Sequence, residues 1–364
     1  MIDRSANNSP SRKLDRLLIV RLGAMGDVIH ALPAAAALRQ CYPNATLGWL
    51  IEERWAELLC TLPMARCGAR SEQRPLVDNV HTVNTRKWRS HLLSLETIEQ
   101  VAAALSDVRS KNYQIALDFQ GAAKSALFAA WAGADTVVGA MQPRENVASM
   151  FYGHRVMSRG AHVIEQNLSM AENVVGHSLP ALIPTLPRDS GSEARVCEWL
   201  KERGIQDFVL MNPGTGWGAK RWPADRYGQM AKLFLGNRLR TVVNHGPGEE
   251  DLAQEVKMSG GATAELFCAS ISDLVALTRR ARLFIGGDTG PLHLAAALQV
   301  PVLAIYGPTD PARTGPYGTR SMVLRSPTSI TSRKRHRETE AGLFSISVRQ
   351  AAEAAFALLG KSYA

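Results

Sequence analysis

The stretch Phe284 to Tyr317, FIGGDTGPLHLAAALQVPVLAIYGPTDPARTGPY, gathers most of its polar residues at turns. The apolar run Leu283–Ile285 stops at Gly286 and Gly287. Asp288, Thr289, Gly290 and Pro291 then open a helix in which Leu292, Leu294, Ala295, Ala296 and Leu298 are apolar and His293 is not. A helix starting beside the carboxyl end of a parallel strand points free N–H groups and partial positive charge at a ligand crevice, which makes a phosphate site. The same residues also suit an ordinary helix cap, and alone they leave both open. A second stretch, Asn212 to Pro223 (NPGTGWGAKRWP), is a glycine-rich loop after a strand that ends in Lys220 and Arg221. Its glycines let backbone amides approach an anion, but no Ser or Thr follows the lysine, which argues against a kinase or ATPase loop. A third, LGAMGD, carries Gly23 and Gly26 without the spacing of a dinucleotide fingerprint, so NAD loses ground. Asp27, read from its neighbours alone, is a helix cap. His30 and His293 lack partners at metal-ligand spacing and there is no D-x-D, so neither a metal site nor a cofactor is expected.

These residues need strands and helices in alternation to bring them together, and the chain supplies that pattern twice. Arg16–Arg21, Thr46–Ile51, Val80–Asn84 and Tyr113–Phe119 are expected strands, with helices at Val28–Gln40, Glu52–Leu59 and Thr97–Arg109. Pro33 is expected to kink its helix or mark its first turn. Thr85 to Arg89 is a basic loop with an aromatic inside it, and Gln120 to Ser125 opens another helix. The second half repeats the scheme, with strands at Phe208–Asn212, Thr241–Asn244, Leu283–Ile285 and Val302–Ile305. Alternation of this kind predicts α/β domains with doubly wound parallel sheets. The expected divisions are a leader at 1–15, a first domain at 16–175, a proline-rich linker at 176–191, a second domain at 192–345 and a final helix within 346–364.

At 364 residues, 46% hydrophobic and 21% charged, the chain has the composition of a globular protein with full cores. A net charge of +9 implies an anionic partner: nucleic acid, an anionic membrane surface or a phosphorylated substrate. Five cysteines without a C-x-x-C pair (Cys41, Cys60, Cys67, Cys197, Cys268) argue against a disulfide framework and fit a reducing cytoplasm. The polar N-terminus and the short apolar runs predict neither secretion nor a membrane-spanning helix, so any membrane contact is peripheral.

D-T-G-x-x-H-L-A-A-A-L followed by P-x-x-x-x-Y-G-P-T-D-P resembles the signature of the ADP-heptose:lipopolysaccharide heptosyltransferases, glycosyltransferase family 9. VRLGAMGDVIHALPA resembles the opening motif of that family, K-R-W-P its lysine motif, and Q-G-A-A-K-S-A its helix opening in the acceptor-side domain. The resemblance implies a GT-B arrangement of two Rossmann-like domains with a cleft between them, the last helix crossing back to the first. It implies an inverting, metal-independent transfer of L-glycero-D-manno-heptose from ADP-heptose to the Kdo of a Kdo-lipid A acceptor, in the cytoplasm at the inner face of the cytoplasmic membrane. Asp27 becomes the general base. Thr215 and Lys220 join Asp288, Thr289, Gly290 and His293 around the donor diphosphate, and Glu249 faces the ribose, although Gly248 competes for that register. Arg86, Lys87, Arg89, Lys124 and Arg144 would meet the acceptor. Transfer of another sugar to another surface glycan is the nearest alternative. Nucleic-acid binding is disfavoured, because the positive charge is spread rather than concentrated.

Overall fold

The computed structural model describes residues 14–61, 66–91, 94–332 and 338–361. The expected leader at 1–15 lies almost wholly outside them. The chain forms two compact units, Met1–Pro187 and Arg188–Ala364, which part inside the segment expected as linker. In the first, β1 (Arg16–Val20), β2 (Thr46–Glu52), β3 (Asn79–Val83), β4 (Ile115–Asp118), β5 (Thr136–Ala140) and β6 (His154–Val156) form one parallel sheet in the order β3-β2-β1-β4-β5-β6. In the second, β7 (Phe208–Asn212), β8 (Arg240–His245), β9 (Ala264–Cys268), β10 (Leu283–Gly287), β11 (Val302–Tyr306) and β12 (Ser321–Arg325) form the order β12-β11-β10-β7-β8-β9, also parallel. Read from its other end, the second order repeats the first. β1 corresponds to β7, and β4 to β10.

The central strands are continuous apolar runs because helices cover both faces of a parallel sheet. RLLIV, FVLMN and VLAIY are almost entirely buried. In the second unit Trp222, Tyr227, Phe234 and Phe356 lie in one core with the undersides of β7, β10 and β11. In the first, Trp88, Tyr113, Phe128 and Tyr152 lie in one core with Leu18 and Val20 of β1 and Ala116 of β4.

One expectation changes, and the structure adds detail at two others. Thr85 to Arg89 is not a loop but the start of the helix Thr85–Ser90: the Asn84 side chain accepts from Lys87 N, and Trp88 is drawn into the core. Pro33 neither opens nor ends its helix, which runs unbroken as Met25–Cys41. The final helix, Val348–Leu358, places Ala351, Ala355 and Phe356 in the core of the second unit beside the helix Ala224–Gly236, so its apolar face is committed there. No described helix is long and apolar enough to cross a membrane.

Candidate active site

In the second unit the chemistry collects at the carboxyl ends of β7, β8 and β10. Thr289 is the N-cap of the helix Gly290–Ala297, yet its side chain does not cap: the hydroxyl donates backward to Gly287 O at 3.2 Å. The first turn therefore keeps backbone N–H groups for an external acceptor. Asp288, directly before it, is buried. Its carboxylate accepts from Lys220 Nζ at 2.5 Å and from His293 Nε2 at 3.0 Å, with Tyr306 Oη 3.4 Å away. Burial alone would push this carboxyl up, but His293 and Lys220 outweigh it and hold Asp288 well below the usual carboxylate range. Lys220 also stands 4.5 Å from the Trp217 ring centroid, a cation–π contact that fixes its stem.

The loop after β7 is shaped by side chains rather than by regular structure. Asn244 of β8 donates to Asn212 Oδ1 at 2.6 Å, and Asn212 in turn donates to Gly214 O at 2.9 Å. The Thr215 hydroxyl donates to Trp217 O, so it is spent on the loop's own turn. Glu249 accepts from Gly246 N at 3.0 Å, and its carboxylate lies over Gly214, where an added Cβ would come within 2.3 Å of it. A side chain at 214 would displace that carboxylate. Glu250, one residue on, turns instead to Gly248 N. The structure thus gathers Thr215, Lys220, Glu249, Asp288, Thr289, Gly290 and His293 at one sheet edge. Trp217 and Tyr306 belong to the same group, and neither was expected. Tyr306 stood inside the quoted Y-G-P-T-D-P, whereas nothing local marked Trp217.

In the first unit Asp27 occupies the third position of its helix. One oxygen accepts from Ala24 N at 3.0 Å and the other pairs with Arg21 Nη2 at 2.9 Å. The Asp27 side chain is 37% exposed and that of Arg21 8%, so a buried cation aims a carboxylate that still reaches solvent. Capping and proton transfer are compatible here. Arg21, missed as a site residue, is further anchored by donating to Phe119 O.

The expected acceptor residues divide. Lys124 pairs with Glu52 Oε1 at 3.0 Å and donates to Thr85 Oγ1 at 2.6 Å, so its charge is answered from within. Lys87 meets Glu96 at 2.8 Å on the surface. Arg86 and Arg89 are exposed and line a groove of about 1130 Å³ together with Lys124. Arg144 is exposed on the segment after β5, its backbone beside Gly121, and is absent from that lining. The helix opened by Gln120 to Ser125 is no free anion site: Ala123 N donates to Glu145 Oε2 at 2.9 Å, and Gln120 Oε1 accepts from Leu22 N.

Residues 101–344 match glycosyltransferase family 9 (heptosyltransferase). Over 322 residues the chain is 28% identical to lipopolysaccharide heptosyltransferase 1 of Pseudomonas aeruginosa PAO1, covering 85% of this chain and 84% of that protein. It is 26% identical to lipopolysaccharide heptosyltransferase 1 of Escherichia coli K12, over 86% of this chain and 94% of that one. Among solved structures, Escherichia coli heptosyltransferase WaaC with ADP superposes with a TM-score of 0.74 at 27% identity, covering 92% of this chain and 97% of WaaC. A glycosyl transferase family 9 protein from Veillonella parvula shares the fold at a TM-score of 0.79 and 20% identity. With two Rossmann-like sheets of matching strand order and a family match spanning both units, the chain belongs to glycosyltransferase family 9, the heptosyltransferases, and is a glycosyltransferase of the GT-B fold class.

Proposed function

We propose that this protein transfers L-glycero-D-manno-heptose from ADP-heptose to the Kdo of Kdo-lipid A in the lipopolysaccharide inner core, at the cytoplasmic face of the inner membrane. The observation that carries the reading is the uncapped helix N-terminus at Gly290 with Lys220, Asp288 and His293 around it. That is a ready-made site for a diphosphate, in a chain akin to lipopolysaccharide heptosyltransferase 1 along most of its length. Asp27 takes the proton from the attacking acceptor hydroxyl as its oxygen bonds to the anomeric carbon. The bond from that carbon to the diphosphate oxygen breaks on the opposite face, inverting the centre, and its electron pair leaves with ADP. Charge developing on ADP is met by the helix N–H groups, by Lys220 and by His293, fixed donors in a partly dry site. These groups would supply the positive charge that a metal would otherwise bring to the diphosphate, so the transfer is proposed to be metal-independent. Glu249 is assigned to the ribose, and Arg86 and Arg89 to the anionic acceptor. The test is transfer from ADP-heptose to Kdo-lipid A with and without EDTA. Product formation indifferent to the chelator is expected. Transfer only from another nucleotide sugar, or loss in EDTA restored by magnesium, would overturn the donor or the metal-free mechanism respectively.

A further inference from the structure

The helix Leu95–Arg109 carries an apolar stripe that its own unit covers only in part: Val101 and Leu105 are half-buried against the core, while Ile98 and Ala102 stay exposed. Ile98, Val101, Ala102 and Leu105 recur at i, i+3, i+4 and i+7, the spacing of a helix face that belongs in a core. Of its 15 residues, however, only Thr97 and Val108 are buried, and Ile98 is 54% exposed. The stripe forms one wall of the 1130 Å³ groove, and Leu127, Phe128 and Trp131 of the helix Ala123–Trp131 form the other. This volume slightly exceeds the roughly 300–1,000 Å³ of ordinary small-ligand pockets.

The groove is polarised along its length. At one end Glu52 closes β2, Thr85 follows β3 and Lys124 lies in the first turn after β4, so this mouth is at the carboxyl edge of the sheet. Asp27 stands at the same edge, in the turn region after β1. Arg54, Arg86 and Arg89 also line the groove, and among the described residues no ion pair engages any of the three. At the other end Arg109 Nε donates to Trp131 O at 2.7 Å, joining the carboxyl ends of the two helices. From Ile98 to Arg109 the wall extends about 16 Å. A cationic mouth at the catalytic edge and an apolar channel leading away from it fit one kind of molecule, an anionic head on a hydrocarbon tail.

We propose that this groove holds an acyl chain of the acceptor glycolipid, with the acceptor's anionic head at Arg54, Arg86 and Arg89. The inference rests on the proposed lipid-linked acceptor and deepens it, because it makes the tail as well as the sugar a recognised part of the substrate. Each methylene withdrawn from water is worth roughly fourfold in affinity, so a few seated methylenes outweigh any single rim arginine.

Three measurements on the full chain test it. In calorimetry below its micelle concentration, dodecyl phosphate should bind saturably to the wild type, and inorganic phosphate should bind at least about tenfold more weakly. Ala102→Trp, at an exposed wall position, should fill the channel and abolish dodecyl phosphate binding, and Ile98→Arg should weaken it, both with unaltered melting temperatures. In transfer assays the wild type should prefer acylated over fully deacylated Kdo-lipid A by about tenfold or more in kcat/KM, and in Ala102→Trp that ratio should collapse toward one. Dodecyl phosphate that fails to bind, or binds Ala102→Trp as well as wild type, would overturn the groove while transfer to the deacylated acceptor left the proposed function standing. Absence of transfer to either acceptor would instead remove the proposed function. Sedimentation with anionic vesicles that Ala102→Trp leaves unchanged, with no acyl preference in transfer, would show a membrane-surface contact and overturn the acyl site.

Discussion

β4 and β10 hold the same place in their sheets, a buried aspartate ends β4 and another directly follows β10, and each strand leads through a short turn into a helix, yet the two turns have opposite electrostatics. After β10, Asp288 faces Lys220 and His293, is held ionised, and precedes a helix whose first turn has no side-chain cap. After β4, Asp118 has no ion pair among the described residues. It accepts from Gln120 N, Gly121 N, Ser125 Oγ and Tyr152 Oη, and its burial, the largest influence, pushes its carboxyl up in spite of those bonds. The helix that follows is closed by Glu145. One topology has therefore produced the proposed binding turn and a structural latch, and the difference lies in what reaches the aspartate from other strands. In the first unit the proposed chemistry lies one strand over, at Asp27 after β1, which Arg21 pairs with.

The largest effect should come from the residue on which this division places the proton transfer. Asp27→Asn keeps the bond from Ala24 N but loses basicity, so kcat should fall by roughly two to four orders of magnitude in steady-state assays, with ADP affinity and melting temperature nearly unchanged. Near-normal turnover would leave Asp27 as a cap only.

The next effect separates the two aspartates directly. Asp288→Asn leaves Lys220 beside a neutral amide in a largely buried site and should cost about 3 kcal/mol of unfolding free energy at pH 7. The sign follows from the shift: a depressed folded pKa stabilises above the unfolded value of about 3.9, and the gain is lost as pH falls below it. Asp118 is the reverse. Its raised folded pKa favours the fold most below about pH 4, and that advantage is lost as pH rises through the folded value. Asp118→Asn should therefore change stability at pH 7 by less than about 1 kcal/mol and flatten the decline above pH 4, because both hydroxyls can turn to accept from an amide. Chemical denaturation from pH 3 to 8 distinguishes the two, and equal losses would erase the contrast.

How far this was legible in the chain depends on where each partner lies. β1, β2, β7, β10 and β11 announce themselves as apolar runs because they sit inside parallel sheets. The edge strands β6, β9 and β12 did not, since β6 has three residues and AELFC and SMVLR stay partly exposed, whereas the edge strand β3 is mostly buried and was expected; the inner β5 was not. The turn after β10 was visible since Asp288, Thr289, Gly290 and His293 are neighbours in sequence. The pairings that decide its chemistry were not, for Lys220 and Asp288 are 68 residues apart and Lys124 and Glu52 are 72 apart. For that reason Lys124 was expected as a free cation, although Glu52 answers its charge.

A smaller effect concerns the exposed cations of the first unit. Arg86→Ala with Arg89→Ala should raise the acceptor KM several-fold and leave the donor KM within twofold. Raising salt should act on the same parameter, since exposed charges are screened over about 10 Å at 0.1 M. Equal shifts in both KM values would break the assignment of acceptor to the first unit and donor to the second.

The central claim, that the second unit's turn is the diphosphate site, is tested most directly by titrating ADP into the wild type, Lys220→Met and Arg86→Ala by calorimetry. A hydrogen-bonded charge on a phosphate is worth about 1.5–3 kcal/mol, so Lys220→Met should weaken ADP by roughly tenfold to a hundredfold, with Arg86→Ala unchanged. ADP binding that survives Lys220→Met intact, or falls as far with Arg86→Ala, would contradict it.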